Sequence, residues 1–583
     1  MIPINNPAAS ADNCSRPSGR PEYIGAIFGM LALYVAVIGL LQSLDKRPVI
    51  VGFLSLGQAM LIVLGLSVGI AIMRNRDGWH RSLAAAAMAG GVAGAFLASL
   101  LAAMSIVNLR PVFLSLSPQL RKMLSLGMAT PSACVMLVLG AAVLALLGAM
   151  SCRLPKWLQR PAATGAFVIV ILGVFQELIQ LMLQSNPVLD LLRRQIYTWE
   201  GLTPSGALTV SALAAAGVSF WRPLAATPVG QKSAQRLGQF AGRRFWTAVA
   251  LAAILLMPLL AGSYIGQVLL LICLYCLMGM GQNIEIGLAG LLDLGFVAFF
   301  AVGAYMTALL TADSPFSFAA MGVLPNLSYW SAMPIAVGAS VLVGLIFGIP
   351  VLKVRGDYLA VATLALGEIV RVLVQSDLLA PLLGGSKGIL QIPKPAIAGF
   401  EFNGPVSLFY LTAVFVAVAA YCAWRLDGSR LGRAWKAIRD DEDVAQALGI
   451  NLVKVKLLAY GLGAAFAGVA GSIFAVMLTQ VYPSSFQLQV SINVLVLVVV
   501  GGTGSLPGVM VGAAVLVGLP ELLREFAEYR FLFYGTMLIA VMRLRPEGIW
   551  PNRERRRGLN LQARHERPDI DAIARQPVAR PAQ

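Results

Sequence analysis

The chain is 583 residues long, 58% hydrophobic and only 12% charged, with a mean hydropathy of +0.78. That composition lies beyond the roughly half-apolar usage of soluble domains and excludes a soluble globular or a disordered protein. A net charge of +17 raises nucleic-acid binding, but Lys and Arg collect at the ends of apolar stretches, as they do in cytoplasmic membrane-flanking segments, where a basic tail meets anionic lipid rather than nucleic acid.

A membrane-spanning helix needs about 20 mostly apolar residues. Early in the chain such stretches run over Tyr23–Leu44, Val49–Met73, Leu83–Val107, Pro131–Met150 and Ala162–Gln184, with a shorter one at Ala207–Trp221. Residues 1–21 are polar and contain no apolar run before a cleavage site, so Tyr23–Leu44 reads as a retained first span. Leu109–Gly127 sets Arg110, Arg121 and Lys122 among Phe, Leu and Met, a pattern that predicts a segment lying along the outer membrane surface. Residues 1–221 therefore read as an N-terminal membrane module of about five or six spans, to which the sequence assigns no role. Residues 222–244, with Arg222, Lys232, Arg236, Arg243 and Arg244, read as a basic cytoplasmic connector.

Residues 245–551 form a second membrane module. Its apolar stretches are Trp246–Gly262, Tyr264–Gln282, Leu288–Thr311, Ser331–Leu352, Tyr358–Gln375, Leu408–Trp424, Lys456–Gln480, Gln489–Leu519 and Phe531–Arg543. The whole is predicted to be an all-α polytopic membrane protein. Arg16 and Arg20 place the N-terminus inside; Lys353, Arg355 and the loop from Arg425 to Lys454 also fall inside, and the Lys- and Arg-free loop Ala312–Trp330 falls outside. Residues 552–583, opening with Arg553, Arg555, Arg556 and Arg557, read as a basic, disordered cytoplasmic tail. Cys273 and Cys276 lie within an apolar helix, where packing outranks redox or metal chemistry. His80 and His565 lack metal-binding or catalytic company, so no metal site is expected.

Two places break the helical pattern. Gly287-Leu-Ala-Gly290-Leu-Leu-Asp293-Leu-Gly295 interrupts a helix with three glycines and one carboxylate. An ionisable group at that depth faces a cavity or partner, or else Asp293 caps the helix that follows. The second is Gly501-Gly502-Thr-Gly504-Ser-Leu-Pro-Gly508, inside a stretch that would rise about 46 Å against a core of about 30 Å. Backbone freed at such depth is tolerated only against protein or a water-filled cavity, so a broken or re-entrant segment is expected, the alternative being one bent helix plus a missed span. Gly287, Gly290, Asp293, Gly295, Gly501, Gly502, Gly504 and Gly508 are the candidate translocation-path residues, paired broken segments of the sort inverted-repeat transporters use. Glu368 and Arg371, three apart on one helix, are expected to form a structural ion pair. The small-residue ridges Ala464-x₃-Gly468-x₃-Ser472 and Ala467-x₃-Gly471-x₃-Ala475 predict close helix packing, within the subunit or against a second one.

Between two membrane-grade stretches stands GRAWKAIRDDEDVAQALGIN, Gly432–Asn451, holding Arg433, Lys436, Arg439, Asp440, Asp441, Glu442 and Asp443. Read as one helix, Ala434, Ala437, Ile438, Ala445 and Leu448 give it a small apolar face, and Gly449 a stop. A small face within a charged rim suits docking into a groove of a cytoplasmic protein better than lying on a bilayer.

Residues Asp443-Val-Ala445-Gln-Ala-Leu-Gly449 resemble the E-A-A-x-x-x-G loop of ABC importer permeases, with Asp for Glu and Val for the first Ala. The stretches GLLDLGFVAFFAVGAY (Gly290–Tyr305), RGDYLAVATLALGEIVRVL (Arg355–Leu373), AAFAGVAGSIFA (Ala464–Ala475), VVGGTGSLPG (Val499–Gly508) and RPEGIWP (Arg545–Pro551) are similar, in order, to branched-chain amino-acid permeases of the LivM type. The resemblance implies an ABC-importer helical bundle in which Arg433, Lys436, Arg439, Asp440, Asp441, Glu442, Asp443, Ala445 and Gly449 belong to the helix that docks on the ATPase. It implies as partners a second permease subunit, two ATP-binding-cassette subunits and a periplasmic substrate-binding protein, in a bacterial inner membrane with both termini cytoplasmic. The chain carries no G-x-x-x-x-G-K-[ST] phosphate loop, so ATP and Mg²⁺ are expected in partner subunits and no cofactor on this one. The expected cargo is a branched-chain amino acid. Urea or a short amide, carried by family neighbours, and ion-driven secondary transport are the alternatives.

Overall fold

A computed structural model describes residues 21–551 apart from 75–78, 109, 112, 114, 126, 185–186, 200, 227–242, 352–356, 523, 525–528 and 546. Most of the basic connector, Lys353 and Arg355, the first twenty residues and the tail 552–583 lie outside the described residues. The chain divides into two compact units, Met1–Ala250 and Leu251–Gln583. Eleven of the described helices are long and apolar enough to cross a membrane.

The first unit contains α1 (Pro21–Ile38), α2 (Leu40–Asp45), a short antiparallel ladder of β1 (Pro48–Ile50) and β2 (Leu54–Ser55), and α3 (Leu56–Arg74). There follow α4 (Trp79–Ile106), α5 (Pro118–Ser125), α6 (Thr130–Ser151), α7 (Lys156–Val174), α8 (Gln176–Gln184), α9 (Pro187–Ile196) and α10 (Pro204–Ala226). Small residues let the backbones of α1, α3, α4 and α6 approach: Gly25 packs on Ala89, Gly69 on Ala145 and Gly148 on Leu66, the packing that drives helix association where lipid removes the usual hydrophobic gain. Two of the predicted spans are each divided. Tyr23–Leu44 breaks at Gly39, whose φ of 90° is left-handed, and Ala162–Gln184 breaks at Phe175. Within Leu109–Gly127 the short helix α5 packs against α2, α4 and α6, with Leu116 and Leu120 buried.

The second unit opens inside α11 (Arg243–Gln282), which is kinked at Gly262 (φ 84°), and goes on to a π-helical turn, Asn283–Leu288. It continues with α12 (Phe296–Thr311), α13 (Tyr329–Val351), α14 (Asp357–Gln375), α15 (Ala380–Leu383), β3 (Ile389–Leu390), β4 (Ala396–Ile397) and β5 (Phe400–Glu401). Next come α16 (Pro405–Asp427), α17 (Arg430–Asp440), α18 (Glu442–Ala447), α19 (Leu452–Leu478), β6 (Gln480–Val481), α20 (Leu488–Gly501), α21 (Leu506–Ala513), a π turn over Ala514–Gly518, α22 (Leu519–Leu522) and α23 (Arg530–Leu544). The strands only pin loops: β4 pairs with β5, and β3 with β6, both antiparallel.

The predicted small-residue ridges of α19 face inward. Gly468 packs on Gly303 and Gly471 on the Phe300 carbonyl, so α19 lies between α12 and α13 and the ridges serve contacts within this unit. Around them an aromatic core closes, with Phe299 and Tyr460 edge to face at 5.2 Å. Leu288–Thr311 is not one helix, because the chain leaves helical geometry between Leu288 and Phe296. Gln489–Leu519 is a helical hairpin. After the turn at Gly502–Ser505, α21 runs back along α20, with Gly508 against Gly501 and Gly512 against the Leu497 carbonyl.

Candidate coupling site and transport core

The segment Gly432–Asn451 is two helices rather than one. Asp441 is extended (φ −159°, ψ 115°), and its carboxylate accepts the Asp443 and Val444 N–H groups at 2.9 and 3.0 Å. An Asp offered two free N–H groups caps a new helix instead of continuing the old one. Ser429 caps α17 in the same way, accepting from the Gly432 N–H at 3.2 Å. Gly449 (φ 86°) ends α18 in a Schellman motif: the Ile450 N–H donates to the Ala445 carbonyl (3.1 Å) and the Gly449 N–H to that of Gln446 (3.0 Å). Only a residue tolerant of left-handed φ fits there.

This arrangement redistributes the predicted docking residues. Gly432, Trp435, Ile438 and Ala445 are buried, and the Trp435 Nε1–H donates to the Val455 carbonyl at 2.8 Å. Lys436 pairs with Asp427 at 2.9 Å, and the almost fully buried Lys456 with Glu442 at 2.6 Å. Arg433 donates to the Gly428 carbonyl at 3.3 Å. These charges therefore fix the segment to its own bundle. Two bulky apolar side chains also face outward, Val444 (54% exposed) and Leu448 (76%), one turn apart, beside exposed Asp440, Asp441, Asp443 and Gly449.

Arg439 joins this segment to the interrupted helix. Its Nη1 donates to the Gly287 carbonyl at 2.7 Å and its Nη2 pairs with Asp440 at 3.2 Å, while its aliphatic stem fills the space beside Gly290 (φ 74°). A π-helical turn leaves carbonyls without their normal partners, and the guanidinium takes one of them. From the same turn, the Asn283 side-chain oxygen accepts the Gly504 N–H at 2.8 Å, and Gly287 lies directly against Gly504. The two broken segments thus meet, and Arg439 holds the meeting point from the Gly432–Asn451 segment.

Asp293 is 1% exposed. Its Oδ1 accepts the Gly295 N–H at 2.7 Å, and its main-chain carbonyl accepts the Gln282 side chain at 2.7 Å. The hydroxyl oxygens of Thr363 and Ser491 accept the neighbouring N–H groups of Leu294 and Val297, each at 3.0 Å. Gly295 packs on the Thr363 carbonyl. The sequence reading missed Glu285, which is wholly buried, interacts with the Asp293 carboxyl and leans on Gly463. Apart from the Asp293 carboxyl, no donor among the described residues reaches either of its oxygens. The signal was present in Gln282-Asn283-x-Glu285, three polar residues in an apolar run, which reads as a loop when only the ends of spans are sought. Gly501, Gly502 and Gly508 serve backbone approach: the Ile549 N–H donates to the Val500 carbonyl at 2.8 Å and the Trp550 N–H to that of Gly501 at 3.0 Å. Glu368 and Arg371 form a bidentate pair on α14, with Arg371 Nε at 3.0 Å from both carboxylate oxygens.

A cavity with polar side chains in its wall lies elsewhere in the second unit. About 380 Å³ in volume, it is lined by Tyr275, Gln489, Asn493, Glu521 and Tyr534 with apolar neighbours, and Gln489 donates to Asn493 at 3.0 Å. None of these residues stood out in the sequence, because isolated amides and tyrosines in apolar helices carry no spacing.

The family model for the branched-chain amino acid transport system permease component matches residues 264–542. The high-affinity branched-chain amino acid transport system permease protein LivM of Salmonella typhimurium is 37% identical over 301 residues, covering 48% of this chain and 68% of that protein. LivM of Escherichia coli K12 is similar to the same extent, and LivH of Salmonella typhimurium is 25% identical over 290 residues, 47% of this chain and 90% of that protein. No solved structure matches the chain. A multi-pass helical chain with this match over its second unit belongs to the branched-chain amino acid transport permease family.

Proposed function

We propose that this chain is the membrane-spanning subunit of an ATP-driven importer that carries branched-chain amino acids across the bacterial inner membrane, both termini lying in the cytoplasm. It pairs with a second permease and is driven by two ATP-binding-cassette subunits; a periplasmic binding protein delivers the amino acid. ATP and Mg²⁺ are handled by those partners. The observation that carries this reading is the exposed pair Val444 and Leu448 on a helix braced from behind by Trp435, Lys456 and the Schellman cap. Bulky apolar side chains held rigidly outward within an acidic rim suit a groove on a partner, and rigid bracing lets a rotating partner move the bundle rather than the side chain.

Leu448→Arg tests it. The side chain is exposed, so the change leaves folding within about 0.5 kcal/mol. The ATPase is expected to be lost on purification in mild detergent and uptake abolished, at unchanged membrane content. Full uptake with the ATPase still bound overturns the docking assignment. Ala445→Asp is a weaker test than the sequence alone promises, since Ala445 is 1% exposed and the variant damages packing as well as docking.

A further inference from the structure

The first unit holds an apolar slot of about 190 Å³ between α1, α3, α4 and α6 and a polar chamber of about 470 Å³ lined by α2, α3 and α5. The two adjoin along three elements. On α3, Gln58 lines the chamber, and Leu61, Gly65 and Val68, on the same face at the following turns, line the slot. On α5, Lys122 and Met123 face the chamber, and Leu124 and Ser125 the slot. The path from α1 to α2 passes likewise from Phe28 and Ala32 in the slot to Asp45 and Lys46 in the chamber.

The chemistry of the two parts is opposite. The slot offers no free polar side chain, since the Ser125 hydroxyl donates to the Lys122 carbonyl. An engineered apolar cavity of about 150 Å³ stays dry and takes a hydrocarbon. One wall includes Met136, 44% exposed on the outer surface of α6, so a chain can enter sideways from the bilayer. The chamber brings Lys46 and Lys122 together, neither with an ion-pair partner among the described residues. Its one carboxylate, Asp45, already accepts from the Ser55 hydroxyl at 2.5 Å.

We propose that the first unit is a binding site for one phosphate-bearing membrane lipid, an acyl chain lying in the slot and the headgroup phosphate between Lys46 and Lys122. A free anion uses only the chamber. Helix α5, which contributes to both, acts as the clamp.

Native mass spectrometry of the full chain, purified in mild detergent with its partners and then exchanged into phosphatidylglycerol micelles, reads the site directly. The wild type is expected to keep one phospholipid per chain through a detergent wash. Lys46→Glu with Lys122→Glu should lower retention about tenfold or more, as two charges facing the headgroup reverse. Gly140→Phe fills the slot from a position whose Cβ meets nothing within 4 Å, and should lower retention while both lysines remain. Loss in both variants, with unchanged helix content, supports the site. A wild type that keeps no lipid, or retention unchanged in either variant, overturns it. Binding of inorganic phosphate to the delipidated chain that competes with lipid and ignores Gly140→Phe assigns the chamber to a free anion and also overturns it.

Discussion

At the scale of single residues, the second unit depends on side chains that replace missing main-chain partners. Arg439 is the clearest. Its guanidinium donates to the Gly287 carbonyl and its stem packs on Gly290, so a charged hydrogen bond worth about 1.5–3 kcal/mol ties the Gly432–Asn451 segment to the broken helix. Arg439→Gln is expected to keep the ATPase bound yet lower uptake about tenfold or more, which radiolabelled leucine uptake beside co-purification would measure. Equal loss of both would instead make Arg439 part of the docking surface. Trp435 does a different job: buried and donating to the Val455 carbonyl, it seats α17 on α19. Trp435→Ala should cost about 3–5 kcal/mol, seen as a lower melting temperature of the purified protein, whereas Leu448→Arg should leave that temperature unmoved. Only part of this was legible beforehand. The charges of Gly432–Asn451 announce a special segment, but which of them turn inward depends on Asp427, Val455 and Lys456, and a linear pattern cannot show that.

At the scale of elements, the breaks follow from particular residues. Asp441 stops one helix by capping the next, Gly262 and Gly502 take backbone angles that other residues resist, and the Gly287–Gly295 run lets a π turn and an irregular segment replace a helix. The glycines and Asp293 were visible in sequence because they interrupt apolar runs. The break between α20 and α21 was legible from the length of the stretch and its Gly501–Gly508 cluster, since no untilted span needs so many residues, but the sequence did not decide between a hairpin and one bent helix. The site around Glu285 stayed hidden, because its meaning comes from Asp293, Tyr460 and Gly463 converging from distant elements. Gly463→Val tests that convergence: a Cβ there falls on the Glu285 carboxyl, and because the neighbour is a buried side chain in a packed bundle, overpacking should cost about 1–3 kcal/mol. A melting temperature equal to wild type would mean that Glu285 moves aside freely. Gly502→Ala faces both a φ of 120° and the Trp550 carbonyl, and the same measurement should show a loss at least as large.

At the scale of the whole molecule, the match to transport permeases covers residues 264–542 of the second unit, and the fold class was the most legible feature of all. Hydropathy alone places helices, because a bilayer leaves the main chain no other way to satisfy its hydrogen bonds. Energy coupling is a property of this scale too. Glu285 and Asp293 are buried carboxyls of a sort that ion-driven carriers also use, so the source of energy has to be measured. If the proposed importer assembly holds, uptake into sealed vesicles containing this chain and its co-purifying subunits should require internal ATP and continue when an uncoupler collapses the proton gradient. Uptake that stops with the gradient while ATP is plentiful would assign the driving force to those carboxyls instead.

The strap formed by Ile549 and Trp550 against Val500 and Gly501 bears on the genetics of this chain. It lies past the last apolar helix, in sequence that a hydropathy plot would discard as tail. A stop codon placed just after Leu544 would leave every candidate span intact, yet it would unlatch the turn between α20 and α21 and expose glycines selected for contact. Truncations meant to spare the membrane region should therefore end beyond Pro551, and a reporter fused before that point would be reading a different protein.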